Sequence, residues 1–179
     1  MGSGSRFLEK YNGFKLGWLR DSLSLIVTIA ALFVFFRFVI GLSVVGGDSM
    51  DPTLTDGTVV VYLRAEDRYD PGDIVSLRVP SGEYYIKRVV AVGESSVDLH
   101  DGKVYVDDLE KEELYAAGET NEATGAVIYP YKVRPGNLFV LGDNREVSKD
   151  SRMFGEVSRH QIKGRIFLSI GRDGIHIVR

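Results

Sequence analysis

The apolar positions of this chain form one long run near the N-terminus, followed by a series of short runs. The long run, Leu23 to Leu42, is almost wholly apolar and has about the 20 residues that a helix needs to cross a hydrocarbon core. It lacks the polar face of a surface helix and is longer than the apolar part of a typical leader. We therefore predict a transmembrane helix over residues 22–42, with a buried core helix or an uncleaved leader as the alternatives. Arg37 lies toward its outer end, where the cost of a charge in a bilayer is tolerable.

The short runs that follow alternate in polarity or are rich in β-branched residues, and turn residues separate them. This pattern is typical of strands. It predicts a mainly β fold, with one β-rich domain at residues 43–179 after the single N-terminal transmembrane helix. The predicted strands are 59–63, 74–79, 84–92, 97–99, 104–106, 127–133, 138–141, 165–170 and 175–178. Turns are predicted at Asp70-Pro71-Gly72-Asp73 and at the hairpin tip His100-Asp101-Gly102-Lys103.

The basic residues around the apolar run predict its orientation. Four Lys or Arg residues precede it, whereas none lies between it and Arg64. Because positive charge is retained on the cytoplasmic side, residues 1–21 should form a short cytoplasmic segment and residues 43–179 an extracytoplasmic domain. Residues 1–5 are small and polar, as in a remnant of an expression vector, and carry no part of this prediction. The expected location is the cell membrane, with the lipid bilayer as a partner of a single-pass protein.

Composition and charge argue against several classes of protein. The chain of 179 residues has a formal charge of −3 and a pI near 5.7, which argues against a nucleic-acid partner. It has no cysteine, so disulfides and thiolate metal sites are excluded, and its three histidines lack metal-binding spacing. We predict neither a metal nor an organic cofactor. Residues 107–125 are acidic and unpatterned, and we predict a surface excursion there with no catalytic role.

A candidate nucleophile follows the apolar run in the stretch Gly-Asp-Ser-Met-Asp-Pro-Thr-Leu, residues 47–54. A plain turn would explain this composition, because Ser and Asp bond to nearby backbone and Pro52 restricts φ. The alternative is that Ser49 is a nucleophile, with glycines before it that leave room for a substrate backbone. This second interpretation requires a base from elsewhere in the chain.

Two later stretches supply candidates for the base and its surroundings. They are Tyr-Tyr-Ile-Lys-Arg-Val-Val at 84–90 and Gly-Asp-Asn-Arg-Glu-Val-Ser-Lys-Asp-Ser-Arg at 142–152. Together with Ser-Met-Asp-Pro-Thr-Leu, they resemble in order and type the three motifs of bacterial type I signal peptidases. These are membrane-bound Ser-Lys proteases that remove secretory signal peptides. The resemblance includes the membrane segment and extends to about Ser169, and the third motif is its most specific part.

The resemblance implies a role for each motif residue. Ser49 is the expected nucleophile and Lys87 the general base. Ser148, on sequence alone an ordinary turn serine, would hydrogen-bond and orient the lysine amine. The charged residues in or beside the motifs are expected to form structural ion pairs: Arg88, Asp143, Asp150 and Arg152.

Lys87 must be neutral to act as a base. A lysine of ordinary pKa is neutral about once in a few thousand molecules at pH 7, whereas burial that brings the pKa to 7–8 makes a useful base. In the predicted strand, Lys87 shares a face with Tyr85 and Val89, which offers apolar surroundings. A solvent-facing lysine on an amphipathic strand is the alternative.

The expected substrate is an extended peptide that pairs with strand edges, here Val44–Gly47 and Tyr84–Ile86. Val44, Val45, Tyr85 and Ile86 are the candidate binding residues. Val45 and Ile86 would form shallow pockets for small residues at the first and third positions before the cut. For the oxyanion, the backbone N–H of Ser49 is the natural donor. Some family members add a serine hydroxyl two residues earlier, where this chain has Gly47.

The predicted function is therefore a membrane serine endopeptidase that removes signal peptides from secretory precursors after a small-x-small motif. A related Ser-Lys processing peptidase with a narrow client, in an organelle inner membrane or a dedicated secretion system, is an alternative. So is a membrane-anchored β-domain that binds peptides without cutting them. Self-cleaving repressors share Ser-Lys chemistry but would require a DNA-binding motif where this chain has an apolar helix.

Overall fold

The computed structural model describes residues 3–64, 66, 68–123 and 127–178. The chain divides into two compact units, Met1–Val39 and Ile40–Arg179. The first unit is helix α1, Ser3–Phe38. Its part Arg20–Phe38, 19 residues with a mean hydropathy of 1.8, is long and apolar enough to cross a membrane.

Helix α1 ends earlier than predicted. The sequence places the end of the apolar helix at residue 42, but α1 ends at Phe38 and residues Ile40–Val44 form strand β1. This strand pairs antiparallel with Val59–Leu63, so that Ile40 lies opposite Leu63 and Val44 opposite Val59. The pairing decides the boundary, because the apolar composition of residues 39–44 suits a helix as well as a strand.

The second unit contains two antiparallel sheets and confirms the predicted mainly β fold. The larger sheet has the order β1-β2-β11-β3-β4-β9-β10, with β12 paired to β11; the smaller has the order β7-β6-β5-β8. The strands are β1 Ile40–Val44, β2 Val59–Leu63, β3 Ile74–Arg78, β4 Tyr84–Val92, β5 Ser96–His100, β6 Lys103–Val106, β7 Leu109–Glu110, β8 Tyr131–Lys132, β9 Asn137–Leu141, β10 Val157–Ser158, β11 Ile162–Gly171 and β12 Gly174–Ile177. A short helix α2, Ser151–Phe154, and a 3-10 helix, Arg159–Gln161, precede β11.

Alternation and turn chemistry account for most of these elements. Strand β4 has the predicted bounds, since its apolar and β-branched residues continue without a break. The hairpin between β5 and β6 turns at Asp101 and Gly102, with φ of 53° and 72°, as expected for a two-residue hairpin loop. The predicted strand at 127–133 is reduced to Tyr131–Lys132. Ile128 there is 89% exposed and makes no sheet pairing.

The core places strand β4 between two apolar clusters. Val89 belongs to one cluster, and Tyr85 packs against it. Ile86 packs against the other, which contains Val45 and Met50. Because successive side chains of a strand point to opposite faces, β4 has apolar neighbours on both sides at the position of Lys87.

Candidate active site

Ser49 lies on a loop that the core holds in place. The loop follows β1, and its next residues Met50 and Leu54 are each only 1% exposed. Gly47 has a φ of +80°, a conformation that favours glycine, and its N–H donates to Asp56 Oδ1 at 2.7 Å. The buried side chains on one side and this turn on the other fix the backbone that carries the Ser49 hydroxyl.

The structure brings Lys87 to Ser49. The two atoms Lys87 Nζ and Ser49 Oγ are 2.7 Å apart, and Nζ also donates to the carbonyl of Ile86 at 2.9 Å. Lys87 is 2% exposed, although it is separated from Ser49 by 38 positions in the chain. The alternative of a solvent-facing lysine therefore does not apply.

Burial changes the chemistry of this amine. It lowers the pKa of Lys87 to about 8, while the carboxylates of Asp150 and Asp143 act in the opposite direction and the Arg152 guanidinium lowers the pKa further. Desolvation dominates because the ammonium loses its hydration and both carboxylates are already paired with arginines. The amine is therefore available as a base near neutral pH.

The hydrogen bond predicted between Ser148 and Lys87 is not formed. Ser148 is buried, at 8% exposure, and its Oγ has no hydrogen-bond partner among the described residues. It lies instead over Gly142, where an added Cβ would collide with both Ser148 Oγ and the carbonyl oxygen of Ser49. The lysine amine donates instead to Ser49 and to Ile86. Gly142 is therefore required for this close approach of Ser148 to the nucleophile loop.

The four charged motif residues form two buried bidentate ion pairs. Arg88 donates to the two oxygens of Asp143 at 2.8 and 2.6 Å, and Arg152 donates to the two oxygens of Asp150 at 2.9 Å each. All four residues are at most 5% exposed. Arg88 also donates to the carbonyl of Gly72 at 2.9 Å. The Arg88–Asp143 pair thus joins the second motif to the third, as a structural brace would, whereas the Arg152–Asp150 pair lies within the third motif.

The acidic excursion is mostly exposed, but it also makes buried contacts that the sequence did not predict. Glu113 accepts from Arg145 Nη1 at 2.7 Å, with side-chain exposures of 8% and 1%. Arg145 also donates to Thr120, and the ring of Tyr115 lies 3.9 Å from the Arg88 guanidinium carbon. A parallel bridge joins Ala117 to Asn144. The excursion therefore packs on the third motif and covers Arg145 and Arg88.

Sequence reasoning missed these contacts for different reasons. Arg145 stands inside the third motif, so its position was a usable signal, but the sequence prediction did not include it in the ion pairs. Glu113 carries no signal, because it is one of many acidic residues in an unpatterned segment. Met50 is a further site residue: it is buried beside Ser49 and lines the adjacent cleft.

A cleft of about 90 Å³ lies beside Ser49 and Lys87. All four predicted substrate-binding residues line it: Val44, Val45, Tyr85 and Ile86. Strand β1 pairs only with β2, and the part of β4 before Arg88 pairs only with β3, among the residues that the structure describes. Each strand therefore leaves one backbone edge free at the cleft, which suits an added peptide strand.

The three histidines lie outside this constellation. His100 stacks on Tyr105 with ring centroids 3.7 Å apart, His160 is exposed on the 3-10 helix, and His176 is 3.0 Å from Asp173. Within the described ranges, no group of three or more His, Cys, Asp or Glu residues could hold a metal ion.

The chain is similar to known proteins of one family. The model of the family described as "Signal peptidase, peptidase S26" matches residues 18–170. The chain belongs to this family. It is 31% identical over 168 residues to signal peptidase IB of Staphylococcus aureus, a match that covers 84% of this chain and 86% of the relative. This membership makes the chain a serine endopeptidase of the signal peptidase class.

Other relatives have similar names. The chain is 29% identical over 160 residues to the probable signal peptidase I-1 of a Synechocystis strain, which covers 82% of this chain and 80% of the relative. A crystal structure of a signal peptidase I from Enterococcus faecalis is 25% identical and covers 56% of this chain and 98% of that chain, with a TM-score of 0.47.

Proposed function

We propose that this protein is anchored in a membrane and removes signal peptides from translocated precursors by cutting after a small-x-small motif. Ser49 is the nucleophile and Lys87 the general base. The observation that carries this proposal is the 2.7 Å contact between Ser49 Oγ and Lys87 Nζ, made by an amine that is 2% exposed. A base must lie within hydrogen-bond reach of the proton that it removes, and this one does.

The lowered pKa makes this base effective. With a pKa of about 8, about one Lys87 amine in ten is neutral at pH 7, against about one in three thousand at the ordinary lysine pKa. The population of active base is therefore about 300 times larger at pH 7. In the neutral form the hydrogen bond reverses its direction, and the Ser49 hydroxyl donates its proton toward Nζ.

Acylation then transfers this proton through the lysine. As Ser49 Oγ bonds to the scissile carbonyl carbon, Lys87 accepts the hydroxyl proton and the carbonyl electrons move onto oxygen. When this intermediate collapses, the C–N bond breaks and the leaving amine takes the proton from the Lys87 ammonium. A water molecule attacks the ester with Lys87 again as base, which restores Ser49 and releases the signal peptide as a carboxylic acid.

The oxyanion requires donors near Ser49. The backbone N–H of Ser49 is suited to this role because it moves with the nucleophile. Gly47 has no side-chain hydroxyl, so a second donor must be another backbone N–H or a water molecule. Ser148 has a buried hydroxyl close to this loop, and we assign it to support of the dyad rather than to direct contact with Lys87.

The cleft determines which substrates fit. Its volume is only about 90 Å³, which favours small side chains. Val45, which directly follows β1, and Ile86 on β4 border it beside the same apolar cluster. These features support small residues at the first and third positions before the cut.

Helix α1 and its flanking charges support this membrane arrangement. The segment Arg20–Phe38 has the length and hydropathy of a membrane span. The four basic residues before it and the lack of any up to Arg64 favour a cytoplasmic N-terminus and an extracytoplasmic catalytic domain. Precursors would then meet Ser49 after translocation.

Cleavage of a defined precursor tests the proposal. The full-length protein in detergent micelles is incubated with a precursor that carries an Ala-x-Ala site, and the new N-terminus is identified by mass spectrometry. We expect a cut directly after the second alanine. Ser49→Ala and Lys87→Ala should each lower the rate by several orders of magnitude, whereas Lys111→Ala, at an exposed lysine, should retain it. Substantial activity in a folded Ser49→Ala or Lys87→Ala protein would show that the dyad is assigned wrongly.

A further inference from the structure

Arg88, the residue after the candidate base, connects strand β4 to the loop that carries the nucleophile. Its Nη2 donates to Thr53 Oγ1 at 3.3 Å, and Thr53 follows Ser49 on that loop. The same nitrogen donates to Asp143 Oδ2 at 2.6 Å. Because Lys87 and Arg88 are adjacent on one strand, the position of this guanidinium affects where the nucleophile loop lies relative to the base.

The ring of Tyr115, in the acidic excursion, covers one face of this guanidinium. The ring centroid is 3.9 Å from the guanidinium carbon of Arg88, well within the reach of a cation–π contact. Oxygen acceptors surround the edge of the guanidinium, so the ring occupies a face that hydrogen bonds do not use. Tyr115 is half-buried, and its hydroxyl donates to Glu113 Oε1 at 2.8 Å. The ring is therefore itself held, and it restricts movement of the guanidinium on that side.

The acidic excursion also holds the nucleophile loop through backbone hydrogen bonds. The N–H of Ala117 donates to the carbonyl of Asp143 at 2.8 Å, and the N–H of Arg145 donates to the carbonyl of Ala117 at 2.9 Å. Asn144 lies between these two bonds, and its N–H donates to the carbonyl of Ser49 at 3.1 Å. The excursion thus fixes the peptide group that holds the main chain of the nucleophile.

These contacts lie away from the substrate cleft. The described residues that line the cleft come from the ranges 43–50 and 84–87, and the segment 113–117 is not among them. A change at Tyr115 therefore leaves the lining of the cleft as it is. Its effect on catalysis would pass through Arg88.

We infer that Tyr115 is a positioning residue for catalysis, which acts through the Arg88 guanidinium on the geometry of the dyad. Loss of the ring would let the nucleophile loop shift relative to β4, and a misplacement of about 1 Å can lower a rate by about a hundredfold. The inference rests on the proposed function, because it assumes that Ser49 and Lys87 are the dyad. It gives a catalytic consequence to a segment that contains no motif.

Two substitutions at Tyr115 separate the ring from its hydroxyl. Tyr115→Leu removes the ring and keeps an apolar side chain, whereas Tyr115→Phe removes only the hydrogen bond to Glu113. Each full-length variant in detergent cleaves a precursor with an Ala-x-Ala site, and kcat and KM are measured per folded protein, with the folded fraction taken from circular dichroism. We expect Tyr115→Leu to lower kcat about tenfold and to leave KM within about twofold of its wild-type value. Tyr115→Phe should retain about half of the wild-type kcat or more, because the ring remains over the guanidinium.

A double-mutant cycle tests the route through the guanidinium. Thr53→Val removes the oxygen that accepts from Arg88 Nη2 and should lower kcat by itself. If the ring and this oxygen act on the same contact, the double variant should have a kcat within about threefold of the slower single variant, whereas independent effects would multiply. Multiplying effects, or a Thr53→Val protein with wild-type kcat, would overturn the inference.

Tyr105 offers a matched control. It is half-buried on β6 in the smaller sheet and stacks on His100, so Tyr105→Leu removes a comparable ring and should retain the wild-type kcat. A folded Tyr115→Leu protein with unchanged kcat, or with a change in KM alone, would also overturn the inference and leave the proposed function intact. Absence of cleavage by the folded wild type would refute the proposed function and the inference together.

Discussion

The burial of Lys87 should make the protein less stable at neutral pH than at alkaline pH. Burial lowers the pKa of Lys87 from 10.5 to about 8, so between these values the unfolded chain binds more protons at this position than the folded protein does. Stability therefore rises with pH through this window, and it is reduced below pH 8, where the folded protein must hold a buried ammonium. We expect Lys87→Met, which keeps much of the side-chain volume without the charge, to remove this dependence.

The magnitude follows from the pKa difference. At about 1.4 kcal/mol per pKa unit, the shift corresponds to about 3.5 kcal/mol in total, of which roughly 2.5 kcal/mol falls between pH 7 and pH 10. Loss of the hydrogen bonds to Ser49 and Ile86 costs about 1 kcal/mol each, but this cost adds a constant at every pH. The pH dependence of the difference is thus separable from its absolute value.

The assay is urea unfolding of the wild type and of Lys87→Met, full-length in detergent, followed by the circular dichroism of the β-rich unit at pH 7 and pH 10. The quantity compared is the free energy of unfolding of Lys87→Met minus that of the wild type. We expect this difference to be roughly 2 to 3 kcal/mol larger at pH 7 than at pH 10. Lys111→Met, at an exposed position, is the control and should show no such change. If the free energies of unfolding of wild type and Lys87→Met differ by the same amount at both pH values, the buried-amine explanation is refuted.

Three further predictions concern activity, packing and topology. The kcat/KM of precursor cleavage should fall about tenfold per pH unit below an acidic limb near pH 8, the pKa of Lys87; a limb near pH 10 would contradict the lowered pKa. Glu113→Gln should destabilise the protein by about 3 kcal/mol, since it leaves Arg145 buried without its counter-charge, whereas Glu112→Gln should have little effect in the same urea titration. Protease added to intact cells should digest the β-rich unit, because the loop charges favour an extracytoplasmic domain; digestion only after lysis would reverse the orientation.

The strands illustrate what local pattern can predict. Strand β4 has the bounds expected from its continuous run of apolar and β-branched residues, and the β5–β6 hairpin turns at the expected Asp101-Gly102. Strand β1 was not predicted, because residues 40–44 continue the apolar run of α1 without a break. Only the pairing of these residues with β2 separates strand from helix there. Where two structures fit the same composition, long-range pairing decides between them.

The candidate active site also combines features that the sequence predicts with features that only the folded chain has. The sequence alone determined an apolar segment long enough for a membrane, a β-rich domain, and three motifs whose order and residue types indicate a Ser-Lys peptidase. The tertiary structure decided that Lys87 is buried beside Ser49 and that its amine donates to Ile86 and not to Ser148. It also decided that Glu113 and Tyr115 of the acidic segment cover Arg145 and Arg88. The physical reason is that a pKa, a buried ion pair and a cleft depend on desolvation and on contacts between residues far apart in the chain. The sequence supplies the catalytic and charged side chains, but only folding sets the distances between them and desolvates them.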